Sequence, residues 1–170
     1  IRDRYHEIKE HGKREFPFNI YPCSIPVDFS HVALHWHEEM EIIAVKKGKG
    51  RITVDTVSYP VEEGDILAVF PGQLHAISCG NGERMEYENI IFRLSMLMGD
   101  NGDGCTVHFL KPLQEGQAKN PVLIQRNQPD HEVFGKVIQE LDRFSEIRGN
   151  GYQLAVKGQL FLFLYYAYGR

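Results

Sequence analysis

The stretch "LHWHEEMEIIAVKKG", residues 34–48, joins a group of titratable side chains directly to an apolar segment. His35, His37 and Glu41 share one parity, and the apolar residues Ile43 and Val45 continue it. Because alternate residues of a strand share a face, a regular strand would point all of these side chains the same way. The apolar continuation predicts that this face is an interior one. Imidazoles and a carboxylate that converge in an interior suit a first-row divalent metal.

A fourth candidate ligand follows in "GDILAVFPGQLH", residues 64–75, where an apolar strand ends in a Pro-Gly turn and His75 begins the next element. If the two strands meet, His75 completes a set of three imidazoles and one carboxylate. Such a set predicts a site for zinc, nickel, manganese or iron. The alternative is a metal-free pocket wall, in which these side chains hydrogen-bond one another or a small polar molecule.

Short strands broken by turns are predicted between about residue 18 and residue 125. Residues 51–61, "RITVDTVSYPV", alternate as a strand does, and residues 85–94 and 121–126 predict two more strands. Strands this short and this regularly spaced favour a sandwich or a barrel. The charged residues 1–17 predict an exposed arm or a short helix in front of it.

The hydrophobic period changes to a helical one after Pro129. Residues 131–147 carry an apolar stripe that includes Val137, Leu141 and Phe144, and we interpret these three as a dimerisation seam. The alternative is that the stripe packs on the preceding strands. A second helix is predicted over residues 152–168 and is apolar nearly all round, so it must be buried against something.

Composition excludes some classes of function. The net charge is −4, from 19 Lys and Arg against 23 Asp and Glu, which argues against DNA binding by this chain itself. No apolar run is long enough to span a bilayer, so no membrane partner is expected. The three cysteines fit no disulfide or zinc spacing, which favours the cytoplasm and buried thiols. Histidines without partners at ligand spacing are expected at the surface: His6, His11, His31, His108 and His131.

Two motifs make the chain resemble the cupins. One is His-x-His, three residues, Glu, six residues, Gly, carried by His35, His37, Glu41 and Gly48; the other joins Gly64, Gly72 and His75. The resemblance implies a jelly-roll barrel in which the His and Glu side chains point inward. The sequence departs from the cupin pattern where a Gly is replaced by Phe29, where Pro71 stands one place late, and where Cys79 replaces an Asn.

The amino-acid sequence of residues 35–75 also resembles the sensor domains of AraC-type transcription regulators. These domains carry two helices after the barrel. This resemblance covers roughly residues 18–168. It implies an arm over residues 1–17, a cupin effector-binding barrel over 18–127 and a helical dimerisation segment over 128–170. Its expected partners are a small-molecule effector, plausibly a sugar, a second copy of the chain, and DNA only through a helix-turn-helix domain outside these residues.

The same resemblance implies that the chain is not an enzyme. The competing hypothesis is a metal-dependent cupin enzyme, such as a dioxygenase or a sugar isomerase, because four protein ligands leave positions open on an octahedral metal. A strongly apolar second helix favours the regulator, which uses such a helix to reach its next domain.

Overall fold

The computed structural model describes all of residues 1–170 and divides them into two compact units, residues 1–123 and residues 124–170. The first unit is mainly antiparallel β structure, and the second contains two long helices. The strands are β1 (Phe18–Ile25), β2 (Val32–His35), β3 (Met40–Val54), β4 (Val57–Glu62), β5 (Ile66–Val69), β6 (His75–Ser78), β7 (Met85–Phe92) and β8 (Val122–Ile124). The predicted class, mainly β structure followed by two helices, is confirmed.

Strand β3 organises the sheet because its two halves pair with different partners. Its first half lies between β5 and β7, and its second half lies between β4 and β6. The strand changes partners near Gly48, which has a φ of 76°. A Cβ on Gly48 would lie 1.9 Å from the carbonyl oxygen of Arg84, so only glycine allows this close approach. One continuous strand therefore connects the two halves of the barrel.

The barrel interior is filled by apolar side chains from six strands. Tyr87 on β7 lies opposite Val45 on β3 and Cys23 on β1, and all three face this core. Burial of so many branched side chains supplies the main stabilisation of the unit. The fully or nearly buried members are Ile25, Ile43, Val45, Ile52, Val54, Val61, Leu67, Val69, Ile77, Met85 and Tyr87.

Residues 51–61 form a hairpin, so the prediction of a single strand there is wrong. The chain reverses between Val54 and Val57, and Asp55 adopts a φ of 53°. Aspartate is one of the few residues besides glycine that tolerates this left-handed conformation, and two-residue hairpin turns require it. Apolar and polar residues alternate in both strands of the hairpin, so the hydrophobic pattern does not reveal the turn between them.

A helical segment over residues 104–114 was not predicted. It contains a π-helical turn, Thr106–Leu110, followed by the short helix α1, Lys111–Gln114. Low helix propensity explains why no helix was indicated there, since the segment contains Gly104, Pro112 and the β-branched Thr106 and Val107. Two single 3₁₀ turns complete the first unit, at Arg2–Tyr5 and Leu94–Leu97.

The helices α2 (His131–Ile147) and α3 (Tyr152–Tyr168) have the predicted bounds. They pack on each other, and the ring of Phe134 meets that of Phe163 edge-on at 5.2 Å. Val137 and Leu141 are already buried within one chain. They are therefore not the exposed residues that a second copy would meet. None of the helices in this structure combines the length and the apolar character needed to cross a membrane.

Exposed apolar side chains lie on α3 instead. Val156, Leu160, Phe163 and Leu164 are buried, which leaves the opposite side of the helix exposed. That side is apolar as well, as the sequence predicted for a helix that is apolar nearly all round. It exposes Leu154, Phe161, Leu162, Tyr165 and Tyr168.

Candidate metal centre

The structure brings His35, His37, Glu41 and His75 together. One ligand atom from each lies within 4.8 Å of the others. His35 at the end of β2 lies directly opposite His75 at the start of β6, because the two strands are antiparallel neighbours. Glu41 comes from the first half of β3, and His37 from the bend between β2 and β3. That these residues bind a ligand or a metal stays a prediction.

The loop between β5 and β6 fixes two of these side chains relative to each other. The Gly72 amide donates to the carbonyl oxygen of His37 at 2.9 Å. Gln73 closes the loop, since its Oε1 accepts from the Phe70 amide at 2.8 Å. Gly72 has a φ of 83°, which explains why glycine occupies this turn. His75 follows at once, so the backbone that carries His37 is tied to the turn that delivers His75.

Each of the three imidazoles is oriented by a backbone carbonyl. The Nδ1 atoms of His35, His37 and His75 lie 2.8, 3.0 and 2.9 Å from the carbonyl oxygens of Ala33, Glu39 and Gln73. A carbonyl oxygen only accepts, so Nδ1 must carry the proton in all three rings. The neutral form of each ring then has its lone pair on Nε2. This is the arrangement that metal-binding histidines adopt in proteins.

Glu41 is the centre of the cluster. Its Oε2 accepts from Nε2 of His75 at 2.6 Å and from Nε2 of His37 at 3.2 Å. Burial by itself would raise the pKa of Glu41, but the charge of His75 and the hydrogen bonds from both rings outweigh it. The net result is a pKa well below the usual range for a glutamate. Glu41 is therefore an anion, which is the form that binds a cation.

The three imidazoles are not electrostatically equivalent. Burial lowers the pKa of His37, but the hydrogen bond and charge of Glu41 more than reverse this and raise it. Burial lowers the pKa of His35, and the nearby His75 lowers it further. His35 is thus held neutral with its Nε2 lone pair available. The cluster therefore combines the neutral imidazole of His35, the carboxylate of Glu41 and two rings that donate hydrogen bonds to that carboxylate.

The four clustered side chains are suited to bind a divalent metal. Three nitrogen ligands and one carboxylate oxygen form a donor set that first-row metals accept, and the backbone carbonyls already orient the nitrogens. A bound cation would take the place of the protons between Glu41 and the two rings, because metals compete with protons for the same lone pairs.

A second layer of polar side chains surrounds His37. The Glu39 carboxylate is buried, lies 3.6 Å from Nδ1 of His37 and pairs with Arg93 at 3.1 Å. His11 meets the His37 ring edge-on at 6.5 Å, and its Nδ1 lies 2.9 Å from the Tyr21 hydroxyl. Glu39 and Arg93 were not identified from the sequence, because only the fold brings Arg93 from the end of β7 to this place.

His11 corrects the prediction of a surface histidine, since only 6% of it is exposed. Burial lowers its pKa, so the ring favours the neutral form. The sequence signal that could have identified it is Gly12, which follows at a φ of 74°. A Cβ there would lie 2.4 Å from the carbonyl oxygen of Phe18, so the glycine lets the arm approach β1 and buries the neighbouring imidazole.

The arm also covers Trp36, which lies between His35 and His37 in the chain. His6 stacks on the indole at 4.0 Å and the guanidinium of Arg2 lies 5.0 Å from it. The indole Nε1 donates to the carbonyl oxygen of Arg2 at 3.0 Å, and the Trp36 amide donates to that of Tyr5 at 2.9 Å. Arg2 also donates to the carbonyl oxygen of Gly72. The first residues are thus docked on the segment that carries the ligands.

The three cysteines are free thiols, but the prediction that all are buried is wrong. Cys105 is exposed, and Cys23 and Cys79 are half-buried. Burial raises the pKa of Cys23 to about 11 and also raises that of Cys79. These two thiols therefore resist ionisation.

Comparison with known proteins identifies the family. The sequence matches the AraC-like ligand binding domain over residues 26–164. This chain belongs to that family. The match includes all four clustered residues, so the cluster lies inside the AraC-like domain. The resemblance to AraC-type sensors inferred from the motifs is confirmed.

Individual relatives of this AraC-like domain are more distant. An uncharacterized HTH-type transcriptional regulator of Bacillus subtilis, YdeC, is 29% identical over 82 residues, which are 48% of this chain and 28% of that protein. Among solved structures, a Cupin 2 conserved barrel domain protein from Salinispora arenicola is 23% identical, with a TM-score of 0.42 over 47% of this chain and 66% of that one. An HTH_3 family transcriptional regulator from Vibrio cholerae is 19% identical, with a TM-score of 0.39 over 44% and 42%. The family assignment rests on the sequence match.

Proposed function

We propose that this AraC-like domain senses a small polar metabolite inside its barrel, beside a divalent metal held by His35, His37, Glu41 and His75. The observation that carries the proposal is the orientation of the imidazoles: each is held through Nδ1 by a backbone carbonyl, and ligand atoms of all four residues converge within 4.8 Å. Nε2 of His37 and Nε2 of His75 both meet the Glu41 carboxylate, so the atoms that a metal would use already converge.

The bound metal would act as a Lewis acid that attracts oxygen atoms of the metabolite. His35, His37 and His75 would hold it by Nε2, and Glu41 would supply the compensating negative charge. Zinc with all four ligands would be closed and structural, whereas nickel, manganese or iron would keep positions free for the metabolite. A metabolite that contacts the metal therefore favours one of the latter three.

The charges in the interior favour a metabolite without net negative charge. The buried polar and charged residues include Glu39, Glu41 and Asp65 but no lysine or arginine. An anionic ligand would have no fixed cation to meet apart from the metal and protonated imidazoles. A neutral hydroxylated molecule such as a sugar would find hydrogen-bond partners at the cluster and apolar contacts on Ile43 and Val45, as in typical ligand pockets.

We propose further that the domain controls a helix-turn-helix DNA-binding domain in the cytoplasm and is not itself an enzyme. YdeC is described as an HTH-type regulator, and this chain spans about a quarter of its length. The net charge of −4 gives these residues no electrostatic attraction for DNA. Occupancy of the barrel would act by favouring one arrangement of the parts of the protein over another.

Two copies would pair through α3. Its exposed Leu162 and Tyr165, with their apolar neighbours, form the kind of surface that a single chain rarely leaves uncovered. A two-fold axis would place the same surface of each copy against the other. Among the residues first inferred for the seam, Phe144 is half-buried and can contribute at the edge. Val137 and Leu141 would support it from beneath.

The metal and the metabolite can be tested together. Elemental analysis of protein purified without added metal should find close to one divalent ion per chain. Thermal denaturation of the parent with a panel of neutral sugars should then identify one that raises the melting temperature. Glu41→Ala and His75→Ala should lose both the metal and the sugar response. A protein that stays metal-free after soaking in Zn²⁺, Ni²⁺ and Mn²⁺ refutes the metal site.

An enzyme remains the second candidate because the complete ligand set is the specific observation that favours it. The two functions differ in what happens to the bound molecule. A sensor returns the sugar unchanged after hours with metal-loaded protein, whereas an isomerase or a dioxygenase converts it. Mass spectrometry and NMR of the recovered sugar distinguish these outcomes.

Pairing is tested by sedimentation at tens of micromolar, the range of a weak dimer. The parent should sediment as a dimer, and Leu162→Glu with Tyr165→Glu should sediment as a monomer. At a concentration too low for pairing, the variant should melt at the same temperature as the parent. Lys136→Ala on the exposed face of α2 is the matched control and should remain dimeric. A monomeric parent contradicts the pairing.

A further inference from the structure

We propose that the arm and the end of β7 form a second ligand site, separate from the metal centre, that binds the anionic group of a small phosphorylated metabolite. A cavity of about 430 Å³ lies between them. This volume is within the range of small-molecule pockets. The residues that define its chemistry are Glu10, His11, Lys13, Arg14 and Arg93.

The charge of this cavity is unusual for the molecule. Its lining holds Lys13, Arg14 and Arg93 with one carboxylate, Glu10, in a chain whose net charge is −4. Because Arg93 is also paired with Glu38 and Glu39, the excess of positive charge rests on Lys13 and Arg14. A larger cavity of about 740 Å³ lacks this excess, since its cations and carboxylates are balanced: Arg2, Arg93 and Lys119 against Glu38, Asp55 and Glu115. A local excess of cations in an acidic protein raises the local concentration of anions.

The cations project from a built loop. The Lys13 amide donates to the carbonyl oxygen of Phe16 at 3.1 Å, and the Phe16 amide donates back to that of Lys13 at 2.9 Å. The buried Phe16 anchors the turn from below, and Gly12 allows its close approach to β1. The backbone of Lys13 and Arg14 is therefore held in place at the cavity edge, so binding an anion has only their side chains to order.

Two further groups have hydrogen-bonding capacity to spare. His11 is buried and lines the cavity, and its Nε2 makes no hydrogen bond, although the Glu7 carboxylate lies 4.0 Å from it. If Nδ1 accepts from the Tyr21 hydroxyl, Nε2 carries the proton and is a donor. Arg93 binds Glu39 and Glu38 through Nη2 alone, so Nε and Nη1 remain for another acceptor. A phosphoryl group, with its several acceptor oxygens, is the common anion that best matches such a set of donors.

An anion bound at this site would affect the metal centre. Arg93 is the partner of Glu39, and Glu39 lies beside Nδ1 of His37. His11 also contacts the His37 ring directly. An anion that draws on Arg93 and His11 would change the surroundings of His37, so the two sites are coupled and the coupling must be reciprocal.

The test measures binding of inorganic phosphate, glucose 6-phosphate and glucose by calorimetry at constant ionic strength. Both phosphates should bind saturably, with glucose 6-phosphate the tighter if the site accepts an organic phosphate, and glucose should not displace phosphate from this site. Lys13→Ala with Arg14→Ala should weaken phosphate binding by at least about tenfold, the effect of losing one charge-assisted hydrogen bond. Lys136→Ala, an exposed cation on α2, should bind as the parent does.

Three outcomes overturn the proposal. The parent shows no saturable phosphate binding, or the double variant retains that binding in full. The third is phosphate binding that disappears when the protein is treated with EDTA, because the anion then binds through the metal. None of these outcomes decides whether a sugar raises the melting temperature, so the sensor function and the anion site succeed or fail separately.

Discussion

The ligand cluster and the exposed side of α3 both come from short stretches of sequence. They differ in how much of each can be recognised before the fold is known. The cluster joins the end of β2, the bend after it, β3 and β6, yet its residue types and their spacing are visible in the sequence before any strand is known. The helix surface depends on which sides its neighbours cover, and α3 is apolar on every side. Residue type and spacing thus identify the candidate ligands, whereas only the folded structure identifies an exposed helix face.

The largest expected effect is the loss of a metal ligand. Glu41→Ala removes the only carboxylate of the set and should weaken Mn²⁺ or Zn²⁺ binding by more than about a hundredfold, beyond the 10- to 100-fold of outer-layer changes. Glu86→Ala on β7, whose side chain is exposed, is the matched control and should bind as the parent does. Titration calorimetry measures both. Equal metal affinities in the two variants would contradict a metal site that includes Glu41.

The next effect separates the buried and exposed leucines of the helices. Leu141→Ala empties a fully buried position and should lower the free energy of unfolding by about 3 kcal/mol. Leu162→Ala, at a position that is 42% exposed, should change it by less than about 0.5 kcal/mol. Urea denaturation of both variants makes the comparison at a protein concentration too low for pairing. A large loss for Leu162→Ala would mean that α3 is covered within one chain.

A smaller effect is expected behind the ligands. Glu39→Gln keeps the backbone carbonyl that orients His37 but removes the buried charge that Arg93 holds, and metal affinity should fall by about tenfold. Glu38→Gln is the control, because that side chain is 59% exposed and lies 3.7 Å from the same guanidinium. Competition with a fluorescent chelator would measure the change. If the two variants bind equally, His37 needs no support from Glu39.

The smallest effect compares thiols. Burial raises the pKa of Cys23 to about 11, so the folded protein disfavours its thiolate. At pH 8 roughly one Cys23 in a thousand is ionised, and its alkylation rate should rise about tenfold per pH unit from pH 8 to pH 10. Mass spectrometry after iodoacetamide treatment should find the exposed Cys105 labelled first. Equal labelling of the two at pH 8 would mean that the barrel wall opens readily.

Sequence was sufficient for the two long helices and for naming the four candidate ligands. The helical period over residues 131–147 and 152–168, the spacing of His and Glu over residues 35–41 and the turn before His75 are local patterns. The single regular strand expected over residues 35–41 was wrong, because His35 ends β2, His37 lies in the bend and Glu41 lies on β3. The four residues meet because β6 pairs with both β2 and β3, which is a property of the fold.

What could not be predicted depends on contacts between distant residues or on weak local signals. His11 is buried only because Gly12 lets the arm reach β1, and Arg93 reaches Glu39 only through the pairing of β7 with β3. The helical segment over residues 104–114 contradicts its own propensities. Val137 and Leu141 match a dimer seam in spacing, but the side that α2 buries within the chain is a property of the fold.

The docking of the arm on Trp36 has an optical consequence. Trp36 is the only tryptophan in the sequence. Its indole is stacked with the ring of His6 and is also in contact with the guanidinium of Arg2. Tryptophan emission therefore comes from one known place, next to His35 and His37 in the chain. Whatever shifts the first seven residues will change the colour and intensity of that emission. The protein thus carries a built-in fluorescent gauge of its arm, which needs no added label.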